Sequence, residues 1–195
     1  MILASAVVVG LALSWVRHRS RAARQIAAIP LRWAWLALLA ALLQIPLLRA
    51  PFAPSQQVAI QQFLFLLSHL LLLVFVWQNR RLLAIQIFGV GVVCNLLVIL
   101  LNGGFMPITP ETLVRINAGS TLEQWTIGYH YAGSKDVILL REEVRLWPLS
   151  DMLVLPPPFP WPTAFSLGDL LIALGIVVLL QGPIRSERAT PELAE

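Results

Sequence analysis

Five apolar runs decide what this chain can fold into. They cover roughly residues 2–16, 26–48, 58–77, 82–101 and 165–180, and about twenty apolar residues in a row is what an α-helix needs to cross a bilayer. Charged residues make up 12% of the sequence and apolar ones 58%, whereas an ordinary soluble domain devotes about a quarter of its residues to charge. The predicted class is an all-α integral membrane protein, a five-span helical bundle. On that reading the net charge of +4 is not a nucleic-acid footprint, and membrane lipid is the first partner to expect.

The distribution of charge orients the bundle. Nine of the fourteen basic residues (17, 19, 21, 24, 32, 80, 81, 185 and 188) fall on one predicted side. The positive-inside rule makes that side cytoplasmic, leaving the N-terminus outside and the C-terminus inside. Trp15, Trp33, Trp35 and Trp77 lie near the same inner interface, as an aromatic belt would. The first run has no basic residues before it and no small-residue cleavage site, so it is predicted to be a span and not a signal peptide.

Four domains follow: a four-span bundle over 1–102, an extracytoplasmic segment over 103–164, a fifth span over 165–182 and a cytoplasmic tail over 183–195. The outer segment is predicted to be a small mixed α/β subdomain. Thr109, Pro110 and Glu111 give a cap, a first-turn proline and an acid for a short helix that Gly119 can close. Residues 126–131 and 137–140 flank a turn and predict a hairpin. The proline-rich run 156–162 cannot be helix interior and is expected to be extended along the outer headgroup boundary.

Chemistry concentrates at two carboxylates, Asp151 and Asp169. Ionisable residues at membrane depth are costly and point to function. If the stiff connector between them runs out and returns, the two meet. Neighbouring carboxyls in a low-dielectric site share a proton, and the resulting acid and carboxylate can activate water and protonate a leaving group. The simpler account has Asp169 capping the last helix and Asp151 in a solvated turn. Around them, Asn95, Asn102, Arg145 and Ser166 are the candidate substrate-binding residues. Gly91, Asn95, Val98 and Asn102 share one helical stripe, which packing against another helix also explains, and Cys94 beside it reads as a packing residue. Arg141 or Arg145 is the expected clamp for a headgroup or peptide carboxylate, whereas Lys135 and Asp136 read as part of a solvated face of mixed charge. His69 is expected to hydrogen-bond a neighbouring helix, with haem or pigment ligation as the alternative. One cysteine and three scattered histidines assemble no metal site, and no cofactor is implied.

Two resemblances bear on these residues. The run Asn102-Gly103-Gly104-Phe105-Met106-Pro107, the later Asp151 and the run Phe165-Ser166-Leu167-Gly168-Asp169 together resemble a bacterial membrane family designated only as a domain of unknown function, number 5317. That resemblance covers most of the chain and implies a bacterial cytoplasmic-membrane protein. A stretch of about thirty residues from Leu149, with Leu149-Ser150-Asp151 and Ala164 to Asp169, also looks like the C-terminal part of lipoprotein signal peptidase. That likeness implies an Asp151/Asp169 catalytic dyad on the outer side, although Ser166 stands where that family has Asn and Gly168 where it has Ala. Two functional classes therefore stay open. One is a membrane-embedded aspartic hydrolase acting on a membrane-anchored peptide. The other is a non-enzymatic accessory or scaffold subunit of a larger membrane complex. Transport is weaker, because there is no internal repeat.

Overall fold

The computed structural model describes residues 2–45, 55–131 and 134–182. Helix dominates. The first stretch runs as α1 (Ile2–His18), a 3-10 turn (Arg19–Arg21) and α2 (Ala22–Ala27). It is followed by α3 (Ala34–Gln44), α4 (Ser55–Asn79), α5 (Leu83–Leu101) and, after the intervening subdomain, α7 (Leu167–Leu180). Three helical stretches are long and apolar enough to cross a membrane: Ile2–Ala27, Ala59–Gln78 and Leu83–Leu101; α3 and α7 are shorter. The connector at 46–54 and the tail with Arg185 and Arg188 lie outside the described residues.

The second apolar run departs from the single helix its composition predicts. Residues 28–33 leave helical geometry and Trp33 takes a left-handed conformation with φ 55°. Pro30 has no backbone N–H to give and restricts Ile29. The Asn79 side chain then replaces the missing helical bonds: its Oδ1 accepts from the Arg32 N–H at 2.8 Å, and its Nδ2 donates to the Arg32 carbonyl at 2.8 Å. The same end of the bundle carries a bond between His18 Nε2 and the Gln181 carbonyl at 3.1 Å. The C-terminal ends of α1, α4 and α7 and the start of α3 thus meet at one end, and the remaining subdomain sits at the other.

Small residues set the helix packing. On α5 and α7 the backbones approach so closely that a Cβ on Gly91 would lie 2.5 Å from the Gly168 carbonyl oxygen. A Cβ on Gly175 would lie 2.8 Å from the Ala84 carbonyl oxygen, and one on Gly168 would collide with Asn95 Oδ1. The predicted stripe on α5 is therefore a packing seam, as small residues on membrane helices usually are. Helix α1 packs on the far side of α7, and α3 pairs with α4. Helix α5 ends as the Asn-Gly-Gly run predicts: the Gly104 N–H reaches back to the Ile99 carbonyl at 2.8 Å, and Gly103 and Gly104 both have positive φ, the six-to-one bond of a Schellman stop.

The subdomain is built on β1 (Met106–Ile108), α6 (Pro110–Ile116), β2 (Asp136–Ile138), β3 (Leu153–Leu155) and β4 (Thr163–Phe165). Helix α6 starts at its expected cap, with the Thr112 N–H donating to Thr109 Oγ1. The predicted hairpin is present: Gly128, Tyr129 and Tyr131 exchange backbone bonds with Asp136 and Ile138. Beyond it, β2 also takes β1 as a parallel partner, with Met106 opposite Asp136, a pairing that nothing in the local pattern announces. The proline-rich run, expected to be extended, instead turns at 157–161 and closes an antiparallel hairpin between β3 and β4. Ile108, Leu113, Ile116 and Ile138 form the subdomain core, and Phe65, Val98, Ile99, Phe105 and Met106 weld it to the helices.

A methyl group at Gly168 has nowhere to go, so Gly168→Ala is expected to cost about 1–3 kcal/mol, the usual range for overpacking. Combining it with Asn95→Ala removes the nearest colliding atom, and the double variant is expected to lose less than the sum of the two single losses. Thermal unfolding in detergent measures all three, and strict additivity would show that the seam is not this tight.

Candidate functional site

The site starts at the top of α5. Asn95, 1% exposed, accepts a hydrogen bond from Ser166 Oγ at 2.8 Å and donates from Nδ2 to Asp169 Oδ1 at 2.8 Å. Ser166 Oγ also caps α7 by accepting the Asp169 N–H at 2.9 Å. Serine followed three residues later by an acid is the sequence pattern of a helix start. Here that start fixes the Asp169 carboxylate from two directions. Asn95 and Ser166, expected to bind substrate, spend these atoms on one another and on holding Asp169.

Asn102 and Arg145 form a separate contact. The Asn102 amide donates to the Arg145 carbonyl at 2.9 Å and accepts the Arg145 N–H at 2.9 Å, pinning the loop to the end of α5. Neither residue lines the cavity described next. Of the two arginines expected as a clamp, Arg141 places its guanidinium 4.0 Å above the centroid of the Trp147 ring.

Strand β1 brings two more acids together. It pairs Met106 with Asp136, and the carbonyl of the next residue, Pro107, accepts the Asp151 N–H at 3.3 Å. Asp136 and Asp151 are 7% and 3% exposed, and their carboxyl groups hydrogen-bond each other. On each, Oδ1 is buried without a partner. Two carboxyls in contact require a proton between them. Burial is the largest influence on Asp151, followed by the neighbouring charges of Asp136 and Asp169, and together they push its acid well above the usual carboxyl range. Burial raises Asp136 as well, against the pull of Lys135 and the Ser134 hydroxyl. Asp151 is the natural holder of the proton.

Lys135 completes the cluster. It is the chain's only lysine, half-buried, with Nζ 5.6 Å from the centroid of the Phe65 ring. Burial works against its charge and is the strongest single influence. The acidic groups of Asp169, Asp151 and Asp136, which share one proton between the last two, together outweigh it and hold the ammonium above its ordinary value. Lys135, Asp136, Asp151 and Asp169 all line one cavity of about 380 Å3, within the size range of small-molecule sites. The structure thus brings Asp151 and Asp169 to one space, while the carboxyl that Asp151 touches is Asp136.

Sequence reasoning passed over Lys135 and Asp136 as part of a solvated turn. The available signal was a lone lysine in a chain whose other bases are all arginine, directly before an acid that opens the apolar run at 137–140. His69 was expected to bond another helix. Instead its Nδ1 donates to the Phe65 carbonyl of its own helix at 2.9 Å, and its ring meets Phe65 edge-on at 4.8 Å. The carbonyl one turn back is always within reach of a buried side chain on a helix, and here it satisfies the ring. Among the described residues, no three His, Cys, Asp or Glu side chains converge to hold a metal ion.

A carboxyl whose folded-state pKa stands above its unfolded value stabilises the fold fully below the unfolded value. That contribution is lost as pH rises through the folded value. Asp151 and Asp136 are both raised, so stability is expected to fall as pH climbs from about 4 through the range where Asp151 gives up its proton. Lys135, also raised, keeps its contribution across that window and loses it only in alkali. In Asp151→Asn the amide still offers a donor to Asp136 and has no proton to lose, so the curve of unfolding midpoint against pH should flatten. Tryptophan fluorescence during heating reads this, and a curve as steep as the wild type's would mean that the proton resides elsewhere.

No curated protein and no solved structure matches the chain. The C-terminal likeness to lipoprotein signal peptidase accordingly finds no support. A family model does match, over residues 28–181, a span that takes in α3 to α7, both halves of the Asn95–Asp169 contact and the whole acid–lysine cluster. The chain belongs to the Family of unknown function (DUF5317).

Proposed function

We propose that this chain is a multi-pass protein of the bacterial cytoplasmic membrane, a five-span bundle with its N-terminus and subdomain outside and its C-terminus in the cytoplasm. Within it, we propose that the acid–lysine cluster is the site of a membrane-embedded aspartic hydrolase. The orientation is supported by the arginines at 17–24, 32, 80 and 81, which gather at the end where α1, α4 and α7 finish. Trp15, Trp33, Trp35 and Trp77 lie exposed near that end, as interfacial anchors do. At the opposite end, Phe159 and Trp161 stand exposed on the hairpin loop, suited to the outer headgroup layer.

The observation that carries the hydrolase reading is a buried Asp151, in contact with the Asp136 carboxyl, that lines one cavity with Asp169. In this reading a water between them gives a proton to the Asp169 carboxylate while its oxygen attacks the substrate carbonyl. Asp151 delivers its proton to the carbonyl oxygen, and Lys135 stabilises the charge that develops there. Collapse of the gem-diol intermediate breaks the bond to the leaving nitrogen, which takes the proton from Asp169, while one hydroxyl returns its proton to Asp151 as the product carbonyl re-forms. Asp136 positions the proton on Asp151.

The test uses the full chain in lipid nanodiscs with an acylated reporter peptide. Wild type is expected to release the peptide's polar portion, and Asp151→Asn or Asp169→Asn to slow release by about 10²–10⁴-fold, the usual worth of a general acid or base. Glu111→Gln, on the exposed side of α6, serves as the control. Absence of cleavage by wild type, or full activity in Asp151→Asn, overturns the hydrolase and leaves the accessory-subunit reading.

A further inference from the structure

A second cavity, of about 410 Å3, lies between the α3–α4 pair and the α5–α7 pair. It shares Leu3, Gln44, Lys135 and Asp169 with the cavity of the acid cluster, so the two spaces meet at the ammonium and at the capped carboxylate. From that junction the groove descends along α7 past Ile172 and Ile176 to Leu179. The distance from Asp169 to Leu179 is about 15 Å at the helical rise. At the lower end Leu36, Phe75 and Ile85 pack into one cluster with Leu179 against them. On α3 the groove is lined by Ala34, Ala37 and Ala41, whose short side chains leave the width open.

We infer that this groove seats one acyl chain of an amphiphile from the outer leaflet, with a donor-bearing, uncharged or cationic head group among Lys135, Asp136, Asp151 and Asp169. The lining is apolar below Gln44, His69, Asn95, Lys135 and Asp169, and the Asn95 amide is bonded to the Asp169 carboxylate at the junction. The head end is specified by its vacant acceptors: Asp136 Oδ1 and Asp151 Oδ1 are buried and unpartnered, and a hydroxyl, amide N–H or ammonium satisfies them. Three carboxyl groups against one lysine repel a phosphate. The inference rests on the proposed hydrolase only in naming what that site would act on; binding itself needs no turnover.

The probe is a monoacylglycerol bearing a diazirine at the end of its chain, added to the full protein in phosphatidylcholine nanodiscs and photolysed. Crosslinks are expected on α3 and the lower half of α7. Unlabelled monoacylglycerol should suppress them, and lysophosphatidic acid of the same chain length should not. Ala41→Phe, which narrows the groove, should reduce labelling about tenfold, equivalent to ~1.4 kcal/mol, with its unfolding midpoint kept near wild type; Ile176→Trp is the second such variant should the first fold poorly. Crosslinks spread over outward-facing positions such as Val8, Phe63 and Leu97 and unmoved by either variant overturn the groove. Equal competition by lysophosphatidic acid overturns the head-group assignment. A wild-type protein that labels but never cleaves loses the hydrolase and keeps the groove.

Discussion

The close approach of α5 to α7 is the contact on which the rest depends. It is possible only because Gly91 faces Gly168 and Gly175 faces Ala84, letting backbone meet backbone. Where lipid surrounds helices, burial of apolar surface gives little drive to associate, and such contacts rely on packing and on buried polar bonds. The bond here is the Asn95 amide, which reaches across the seam to both the Ser166 hydroxyl and the Asp169 carboxylate. A larger residue at 168 would hold the helices apart, break that bond and leave Asp169 without its anchor. Packing and site chemistry therefore share one set of atoms.

The acid–lysine cluster is costly to bury, and the fold offsets the cost locally. One proton between Asp136 and Asp151 removes a negative charge, and Lys135 compensates another at close range. Burial of such groups contributes little to stability and is strongly destabilising when one partner is removed. Their retention in a small subdomain with a modest apolar core argues for a task beyond holding the chain together. The aromatic face of Phe65 under the ammonium adds a further attraction and ties the cluster to α4.

Much of the architecture was legible because apolar length and charge placement are local properties. The five runs, the α5 stop at Gly103 and Gly104 and the α6 start at Thr109 were all readable from their own residues. The interruption at 28–33 was not, although Pro30 marked the place, because the group that stabilises it, Asn79, lies 47 positions away. The parallel pairing of β1 with β2 was hidden for a similar reason: three-residue strands carry too little pattern to name a distant partner. The site was half legible. Asp151 and Asp169 stand out as acids beside apolar sequence, but the Gly-Ser-Lys-Asp sequence that holds Lys135 and Asp136 has the composition of any exposed hairpin.

That short parallel pair has a further consequence. Asp136 is opposite Met106, and Asp151 hangs from Pro107, so β1 acts as a three-residue ruler against which both acids are measured. Side chains alternate faces along a strand, and a shift of one residue turns every one of them over. The separation of the two carboxyls is thus inherited from peptide geometry and not from the choice of neighbours. Side-chain drift across the outer surface of the subdomain leaves the gauge intact, whereas a single inserted residue between α5 and α6 would erase it.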